Sequence, residues 1–187
     1  MKVKDTVLIS AGTFLIIIGA YIAVPIGPVP VVLTNFFIIL VGLLLGWKKS
    51  LIIILTYLIL GAIGLPVFSG GKGGLAHILG LTGGFLVGFI PLALLSGLAV
   101  NKNIAIKFLL TILGTILLYA IGVPWAMYVY NNIIAPGNDK PLWDLATTLK
   151  YTTIPFLLPG VIKIIAAVII STIITPVLKP FIQAKDE

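Results

Sequence analysis

The segment with the strongest chemical signal runs from Leu65 to Phe85 and holds seven glycines. Glycines let the backbone approach a ligand closely, and successive free N–H groups can form a concavity that holds an anion. The segment also carries apolar side chains such as Phe68 and Leu75, which a solvated linker would not favour. A flexible outer loop is one interpretation. We favour a loop that folds back and caps a binding pocket.

The triplet Gly70-Gly71-Lys72 invites comparison with the phosphate-binding P-loop, G-x-x-x-x-G-K-[ST], but it does not complete that motif. Gly73 stands where Ser or Thr is required, and Pro66 stands where the first glycine is required. The chain therefore carries no nucleotide-hydrolysing motif of this kind. Uphill transport would need an ion gradient or a separate ATPase.

Lys163 is the one charge that we place inside a predicted membrane span, about six residues from its outer end. Its ammonium could snorkel outward to water or face the pocket and pair with an anion, and we favour the pocket. Together with Lys72 it would attract a carboxylate. A solute with a carboxylate and an otherwise apolar body fits these residues.

Three further groups of polar or aromatic residues fall near the same end of the predicted spans. Thr34 and Asn35 open the second span, where they could read a polar ring or cap the helix. Trp125 follows Pro124, and we expect it to form a wall of the cavity. His77, the single histidine, is expected to be a loop residue, with a polar ligand contact as the alternative.

The residue types exclude several functions. The chain has no Cys and one His, and its five acids lie at the termini or in the predicted outer loop. These residues offer no paired carboxylates for acid–base catalysis and no metal site, so we expect neither an enzyme nor a cofactor. Ion-coupled carriers usually place ionisable groups at mid-membrane, which disfavours a self-sufficient secondary carrier. We see no exposed basic face, so the net charge of +7 does not indicate nucleic-acid binding.

The composition is that of a polytopic membrane protein, since 60% of the 187 residues are hydrophobic and 9% are charged. We predict an all-α fold with a single integral membrane substrate-binding domain over residues 1–187, because this length leaves no room for an extramembrane domain. Hydropathy and Gly/Pro punctuation predict a bundle of six spans. They cover residues 7–24, 33–46, 50–65, 83–100, 107–130 and 154–176.

The lysines predict the orientation of these spans. One side would collect Lys2, Lys4, Lys48, Lys49, Lys102, Lys107, Lys179 and Lys185, and the other only Lys72, Lys140, Lys150 and Lys163. The positive-inside rule therefore places both termini in the cytoplasm of a multi-pass protein of the cell membrane. Trp47 is expected to be an inner interfacial anchor and Trp143 an outer one.

In this orientation every irregular, Gly- or Pro-rich segment falls on the outer side. We expect non-helical backbone there, and such backbone survives at membrane depth only where it is buried in protein or lines a cavity. The sequence therefore predicts a pocket in the outer half. The segments are Pro25–Pro30, Leu65–Gly84, Val123–Asn132 and Pro155–Lys163.

A series of motifs runs in order along nearly the whole chain, and the glycine-loop block is the most specific of them. They are Pro28–Asn35, Gly42–Gly46, Tyr57–Gly71 with Gly73-Gly74, Thr82–Phe85, Gly122–Trp125, and Pro155–Gly160 with Lys163. In this order they resemble the BioY family of biotin-transport proteins. These are the membrane-embedded substrate-binding (S) components of energy-coupling-factor (ECF) transporters.

The resemblance implies a six-helix subunit that captures biotin from outside beneath a loop cap. It also implies delivery inward with an ECF transmembrane coupling subunit and a pair of ATPases. Small residues on the first helix often serve docking in such subunits, but Ser10-Ala11-Gly12 forms no clean repeat. The ligand-facing positions it implies are Thr34, Asn35, Gly71, Lys72, Gly73, Gly74, Gly84, Phe85, Trp125 and Lys163.

One departure from the family pattern affects the substrate. The family motif Pro-Gly-Asp-x-x-Lys is replaced by Pro159-Gly160-Val161-Ile162-Lys163, which lacks the acid and is one residue shorter. In the family that acid is expected to accept hydrogen bonds from the ureido ring of biotin, each worth roughly 1.5 to 3 kcal/mol. Its absence leaves lipoate or another carboxylated, biotin-related compound as an alternative substrate.

Overall fold

The computed structural model of the chain describes residues 3–25, 29–138 and 140–183. Lys2 and Lys185, both chain termini and positions 26–28 of the predicted Pro25–Pro30 segment lie outside the described residues. The described elements are α1 Val3–Tyr21, β1 Ala23–Val24, β2 Val31–Val32, α2 Thr34–Leu45, α3 Trp47–Ala62, α4 Leu75–Ile78, α5 Gly83–Leu98, α6 Ile104–Val129, a π-helix Tyr130–Ile134, a 3-10 turn Pro136–Asn138, α7 Leu145–Thr152 and α8 Ile154–Gln183.

The fold is mostly helical, and its longest helices have the length and composition of membrane spans. Three segments of the described chain, Val3–Tyr21, Ile104–Ile134 and Ile154–Leu178, are long and apolar enough to cross a bilayer. Thr34–Leu45 and Gly83–Leu98 are shorter apolar helices, so the count of six spans stays a prediction. Large apolar side chains on the long helices remain exposed, which is the pattern expected of surfaces that face lipid.

The centre of the bundle is α5, which packs against α2, α3 and α6. Its contact with α6 is close because small residues face large ones. A Cβ at Gly88 would lie 2.9 Å from the Cα of Leu118, and a Cβ at Gly114 would lie 3.1 Å from the Cα of Leu92. Small residues at such positions let helix backbones approach in a membrane, where dispersion drives association.

The first predicted span ends earlier than expected because the chain turns into a short β-hairpin. Ala23 pairs with Val32 and Val24 with Val31 in an antiparallel ladder. Leu33 then donates from its backbone N–H to the carbonyls of Gly19 and Ile22. The hairpin therefore sits against the end of α1 and leads directly into α2.

Two of the segments predicted to be irregular are helical, so those predictions are wrong. The Val123–Asn132 segment continues α6 through Pro124 and into the π-helix, and Pro155–Lys163 lies within α8. Pro155 falls in the first turn of α8, where a backbone N–H has no partner in the helix in any case. Neighbouring helices and local adjustments can re-satisfy the carbonyls that a proline frees deeper in a membrane helix.

Trp143 is not the interfacial anchor that the sequence predicted. Its side chain is 6% exposed, and its ring stacks on Tyr130 at 3.7 Å and on Tyr151 at 5.3 Å between centroids. The Asn131 amide accepts from the Trp143 N–H at 2.7 Å and donates to its carbonyl at 2.8 Å. These contacts hold the residues that precede α7 against the π-helix that follows α6, which explains why the Trp143 side chain is buried.

The described bundle has two distinct ends. At one end Lys49 and Asp5 form an ion pair of 2.8 Å that joins the starts of α1 and α3. At the other end Tyr21, the last residue of α1, donates its hydroxyl proton to the carbonyl of Pro66, beyond the end of α3. The hairpin and the glycine-rich segment therefore lie at the same end, opposite the Lys49–Asp5 pair.

Candidate functional site

A cavity of about 240 Å³ lies at the end of the bundle that carries the hairpin and the glycine-rich segment. Its apolar walls come mainly from α5, α6 and the start of α8, and include Phe85, Leu86, Phe89, Leu118 and Phe156. Its polar lining comes from every side of that end, and includes Thr34, Asn35, Tyr57, Ser69, Lys72, His77, Thr82, Tyr119, Thr152 and Lys163. The volume suits a small amphipathic solute.

Lys163 lines this cavity, and it is held in place by the hairpin. Its ammonium donates a hydrogen bond of 2.7 Å to the carbonyl of Val32, on the second strand. Two further N–H donors of the ammonium remain for a ligand. The contact joins α8 to the hairpin, so Lys163 both supplies charge and closes one side of the cavity.

The start of α2 brings Thr34 and Asn35 into the cavity lining. The residue at the helix N-cap is Leu33, and no side chain makes a capping hydrogen bond there. The capping alternative for Thr34 and Asn35 is therefore not observed. Thr34 is 1% exposed, so its hydroxyl is positioned inside the protein.

The glycine-rich segment folds back over the bundle around Phe68. The Phe68 ring is fully buried and packs edge-on against Tyr57 at 5.4 Å between centroids. The Phe68 N–H donates to the carbonyl of Lys72 at 2.8 Å, and both Gly70 and Gly71 between them adopt φ of +71°, which favours glycine. This tight turn brings the Lys72 side chain to the cavity.

Gly73 and Gly74 do not line the cavity but fix the course of the segment. A Cβ at Gly73 would lie 2.2 Å from the carbonyl oxygen of Leu65, so no larger residue fits without movement of the backbone. The Gly74 N–H donates to the carbonyl of Gly61 at 2.6 Å. Of the glycines that the sequence singled out, Gly71, Gly73, Gly74 and Gly84 all lie outside the lining and act through backbone shape.

His77 on the short helix α4 forms part of the cap. Its ring stacks on Phe68 at 5.3 Å, and its Nε2 lies 3.4 Å from the hydroxyl of Thr82. Burial, and then the positive charge of Lys72, lowers the pKa of His77 below its ordinary value. The imidazole is therefore neutral at pH 7 and can accept as well as donate a hydrogen bond.

Trp125 is placed differently from the cavity wall that the sequence predicted. It lies outside the lining, and its indole N–H donates a hydrogen bond of 2.9 Å to the carbonyl of Gly80. A Cβ at Gly84 would lie 2.4 Å from the Cβ of Trp125, so the glycine lets the start of α5 approach the indole. Phe85, the next residue, lines the cavity.

Sequence reasoning missed several lining residues on helix faces. Tyr119 packs edge-on against Phe85 at 6.2 Å, and Thr152 is 1% exposed at the end of α7. A tyrosine in mid-span is a polar group at a costly depth, and this signal could have indicated Tyr119. Thr152 gives no such signal, because its position depends on how the Trp143 stack folds α7 back.

The electrostatics of the cavity are one-sided. Two ammoniums line it, and neither of the two acids in the described ranges does, since Asp5 pairs with Lys49 and Asp144 caps α7. The described residues also contain no group of three or more His, Cys, Asp or Glu that could hold a metal ion. The cavity can therefore hold an anion with an apolar body.

The amino-acid sequence is similar to one family model and to several transport proteins. A family model described as the BioY family matches residues 1–180. A probable biotin transporter BioY of Pyrococcus horikoshii is 39% identical over 173 residues, which cover 91% of this chain and 96% of that protein. The biotin transporter BioY of Thermotoga maritima is 37% identical over 168 residues, covering 88% and 92%.

A solved structure is similar as well. The S-component for biotin from an ECF-type ABC transporter superposes with a TM-score of 0.74 at 30% sequence identity. The similarity covers 90% of this chain and 89% of that one. All of these relatives are transport proteins, and none is an enzyme.

Proposed function

The chain belongs to the BioY family, and we propose that it is the biotin-binding S component of an ATP-driven ECF importer. Family membership makes it a multi-pass membrane transport protein and not an enzyme. The names of its relatives supply biotin as the substrate. The cavity carries the proposal physically, because it pairs an apolar wall with two ammoniums and suits a carboxylate on an apolar chain.

We propose that Lys163 and Lys72 provide the charge that attracts the carboxylate. Lys163 is partly buried and Lys72 is exposed. An ammonium with donors to spare is stabilised by an anion, and no carboxylate from the described residues lines the cavity. Lys163 is the stronger candidate for the direct contact. Its anchoring to Val32 fixes the ammonium before the ligand arrives, so little side-chain entropy is lost on binding.

The ureido ring of biotin needs polar partners, and the family's acid is absent before Lys163. We propose that Asn35 and Thr34 take over this role, because an amide and a hydroxyl can both accept and donate hydrogen bonds. Phe85 would pack against the rings of the ligand. Trp125 would act indirectly, by holding Gly80 and with it the cap.

The cap itself is the proposed role of the glycine-rich segment. Gly71, Gly73, Gly74 and Gly84 let the backbone fold tightly over the cavity, and Phe68 anchors the segment to the bundle. We propose that this segment moves as the ligand enters and leaves. The six-span topology and the closing of the cap over biotin are both part of the proposal.

The proposed orientation puts the cavity on the outside and both termini in the cytoplasm. Lys48, Lys49, Lys102 and Lys107 all lie near the bundle end opposite the cavity, as the order of the helices requires. Clustering of lysines near short loops marks the cytoplasmic side. The protein would then capture its ligand outside and release it inward.

Energy for that release would come from an ECF transmembrane coupling subunit and a pair of ATPases. The P-loop comparison fails at Pro66 and Gly73, so the chain has no motor of this type. A self-sufficient secondary carrier is disfavoured, since both acids in the described ranges lie outside the cavity. Lipoate, the alternative suggested by the missing acid, gains no support from the relatives' names.

Uptake of radiolabelled biotin tests the proposal. Cells that lack their own biotin uptake should accumulate the label when they express the chain with a coupling subunit and an ATPase pair. A P-loop lysine variant of the ATPases should abolish accumulation. Accumulation by the purified chain alone in liposomes would overturn the part of the proposal that assigns the energy to partner subunits.

A further inference from the structure

A buried lysine lies away from the cavity, in the first turn of α6. Lys107 is 5% exposed, and its ammonium contacts α8. It donates to the hydroxyls of Ser171 at 3.4 Å and Thr172 at 3.3 Å. Both acceptors are neutral hydroxyls. Both contacts are also longer than the roughly 2.7 to 2.9 Å that is usual between an ammonium and a charged acceptor.

The charge of Lys107 has no counter-charge in the described part of the chain. That part contains two acids, of which Asp5 pairs with Lys49 and Asp144 caps α7. A buried cation without a counter-ion is costly, and the cost is greatest in a membrane. The hydroxyls of Ser171 and Thr172 both donate hydrogen bonds to the carbonyl of Val168, so they act only as acceptors toward the ammonium.

Two further features of the same region favour an anion. Lys107 stands one turn into α6, where the helix N-terminus carries partial positive charge. Thr111 stands one turn further along the same face, is fully buried, and its hydroxyl has no hydrogen-bond partner. A buried hydroxyl without a partner is uncommon in proteins, and this one is available to donate a hydrogen bond to an anion.

We propose that Lys107, Thr111, Ser171 and Thr172 form a binding site for the phosphate of an anionic phospholipid, where α6 contacts α8. This site is separate from the cavity that Lys163 and Lys72 line. It would neutralise Lys107, give the Thr111 hydroxyl an acceptor, and tie the two helices together at this end.

A lipid headgroup can reach this site from the surface of the bundle. Thr172 is exposed, and its hydroxyl lies 3.3 Å from the Lys107 ammonium, so the ammonium is one hydroxyl away from the surface. Ile104, Leu109 and Ile173 expose apolar side chains nearby on the same two helices. Such faces suit acyl chains, which a soluble anion does not have. In the proposed orientation Lys107 lies near the cytoplasmic end of α6, where lipid phosphates would be found.

Lipid-dependent thermal unfolding of the purified full chain tests the proposal. The protein in detergent micelles is titrated with phosphatidylglycerol, with phosphatidylcholine, or with inorganic phosphate. Phosphatidylglycerol should stabilise the native chain more than phosphatidylcholine does. Lys107→Gln should weaken the apparent affinity for phosphatidylglycerol by about fivefold or more, since each interfacial lysine contributes roughly that much. Lys102→Gln, a control at an exposed lysine of the same end, should change it less.

Further variants keep the test decisive if Lys107→Gln unfolds. Lys107→Arg keeps the charge and should retain the lipid preference, whereas Thr172→Val should lose part of it in native mass spectrometry of lipid adducts. Inorganic phosphate that reproduces the Lys107-dependent stabilisation would support the phosphate site and assign it to a soluble source. Equal stabilisation by both lipids, or equal losses in Lys107→Gln and Lys102→Gln, would overturn the proposal. So would a Lys107 effect that appears only with a coupling subunit, because a partner carboxylate would then fill the site.

Discussion

Replacement of Lys163 by alanine is the most informative change in the proposed biotin site. The side chain reaches from α8 to the Val32 carbonyl at 2.7 Å and presents its remaining donors to the cavity. A hydrogen bond to a charged group contributes roughly 1.5 to 3 kcal/mol, so we expect Lys163→Ala to cost about 2 kcal/mol of binding free energy. At 25 °C that loss corresponds to about a 30-fold rise in Kd.

Isothermal titration calorimetry on detergent-purified protein measures this change. The matched control is Lys150→Ala, since Lys150 is an exposed lysine in the last turn of α7 and lies outside the cavity lining. It should leave Kd within about twofold. Parallel titrations with biotin amide separate the carboxylate contact from the structural role of Lys163, because the amide carries no negative charge.

If Lys163 binds the carboxylate, its removal should affect biotin far more than biotin amide. An equal loss for both compounds would mean that Lys163 acts only through its contact with the hairpin. An unchanged Kd for biotin would refute the reasoning altogether, since it would remove Lys163 from the site. A loss of similar size in Lys150→Ala would show that net charge, and not a specific contact, governs affinity.

Three further predictions address the cap over the cavity. Gly73→Ala should destabilise the fold by about 1 to 3 kcal/mol in thermal unfolding and weaken biotin binding, because the added Cβ would lie 2.2 Å from the carbonyl oxygen of Leu65. Gly137→Ala is the control, since nothing lies within 4 Å of a Cβ there. Trp125→Phe removes the 2.9 Å hydrogen bond to the Gly80 carbonyl and should weaken biotin binding by about 1 kcal/mol in calorimetry. An unchanged affinity would show that this hydrogen bond does not contribute to binding. Burial, and then the neighbouring Lys72 ammonium, lowers the pKa of His77 from 6.5, so His77 is protonated more readily when the cap is open than when it is closed. The affinity for biotin should therefore be full above about pH 6.5 and fall below it. His77→Asn should flatten that profile. A wild-type affinity that is constant from pH 7.5 to 5.5 would contradict the assignment of His77 to the cap.

Much of the candidate site could be predicted from residue type and position. Lys163 could be found as the one charge inside a predicted span, where ionisable groups are costly. Lys72 is the cation of the glycine-rich segment, and Thr34 and Asn35 are the polar residues that open the second span. All four line the cavity. The glycines were also informative, although their contribution is to backbone shape and not to the lining.

The rest depended on tertiary contacts that the sequence does not display. Pro124 and Pro159 lie within helices because a membrane helix can tolerate lost backbone bonds when neighbours compensate, so proline alone does not mark a break there. Trp143 was misassigned because its stacking partners, Tyr130 and Tyr151, are brought together only by the fold of the outer segment. Trp125 has an indole that hydrogen-bonds a loop carbonyl, and nothing local to its sequence specifies that partner.

The most direct measurement is the stoichiometry and selectivity of biotin binding to the purified chain, titrated in parallel with lipoate. We expect a saturable isotherm with one biotin per chain and a clearly weaker response to lipoate. A flat isotherm for biotin, or tighter binding of lipoate, would contradict the proposal that this cavity captures biotin.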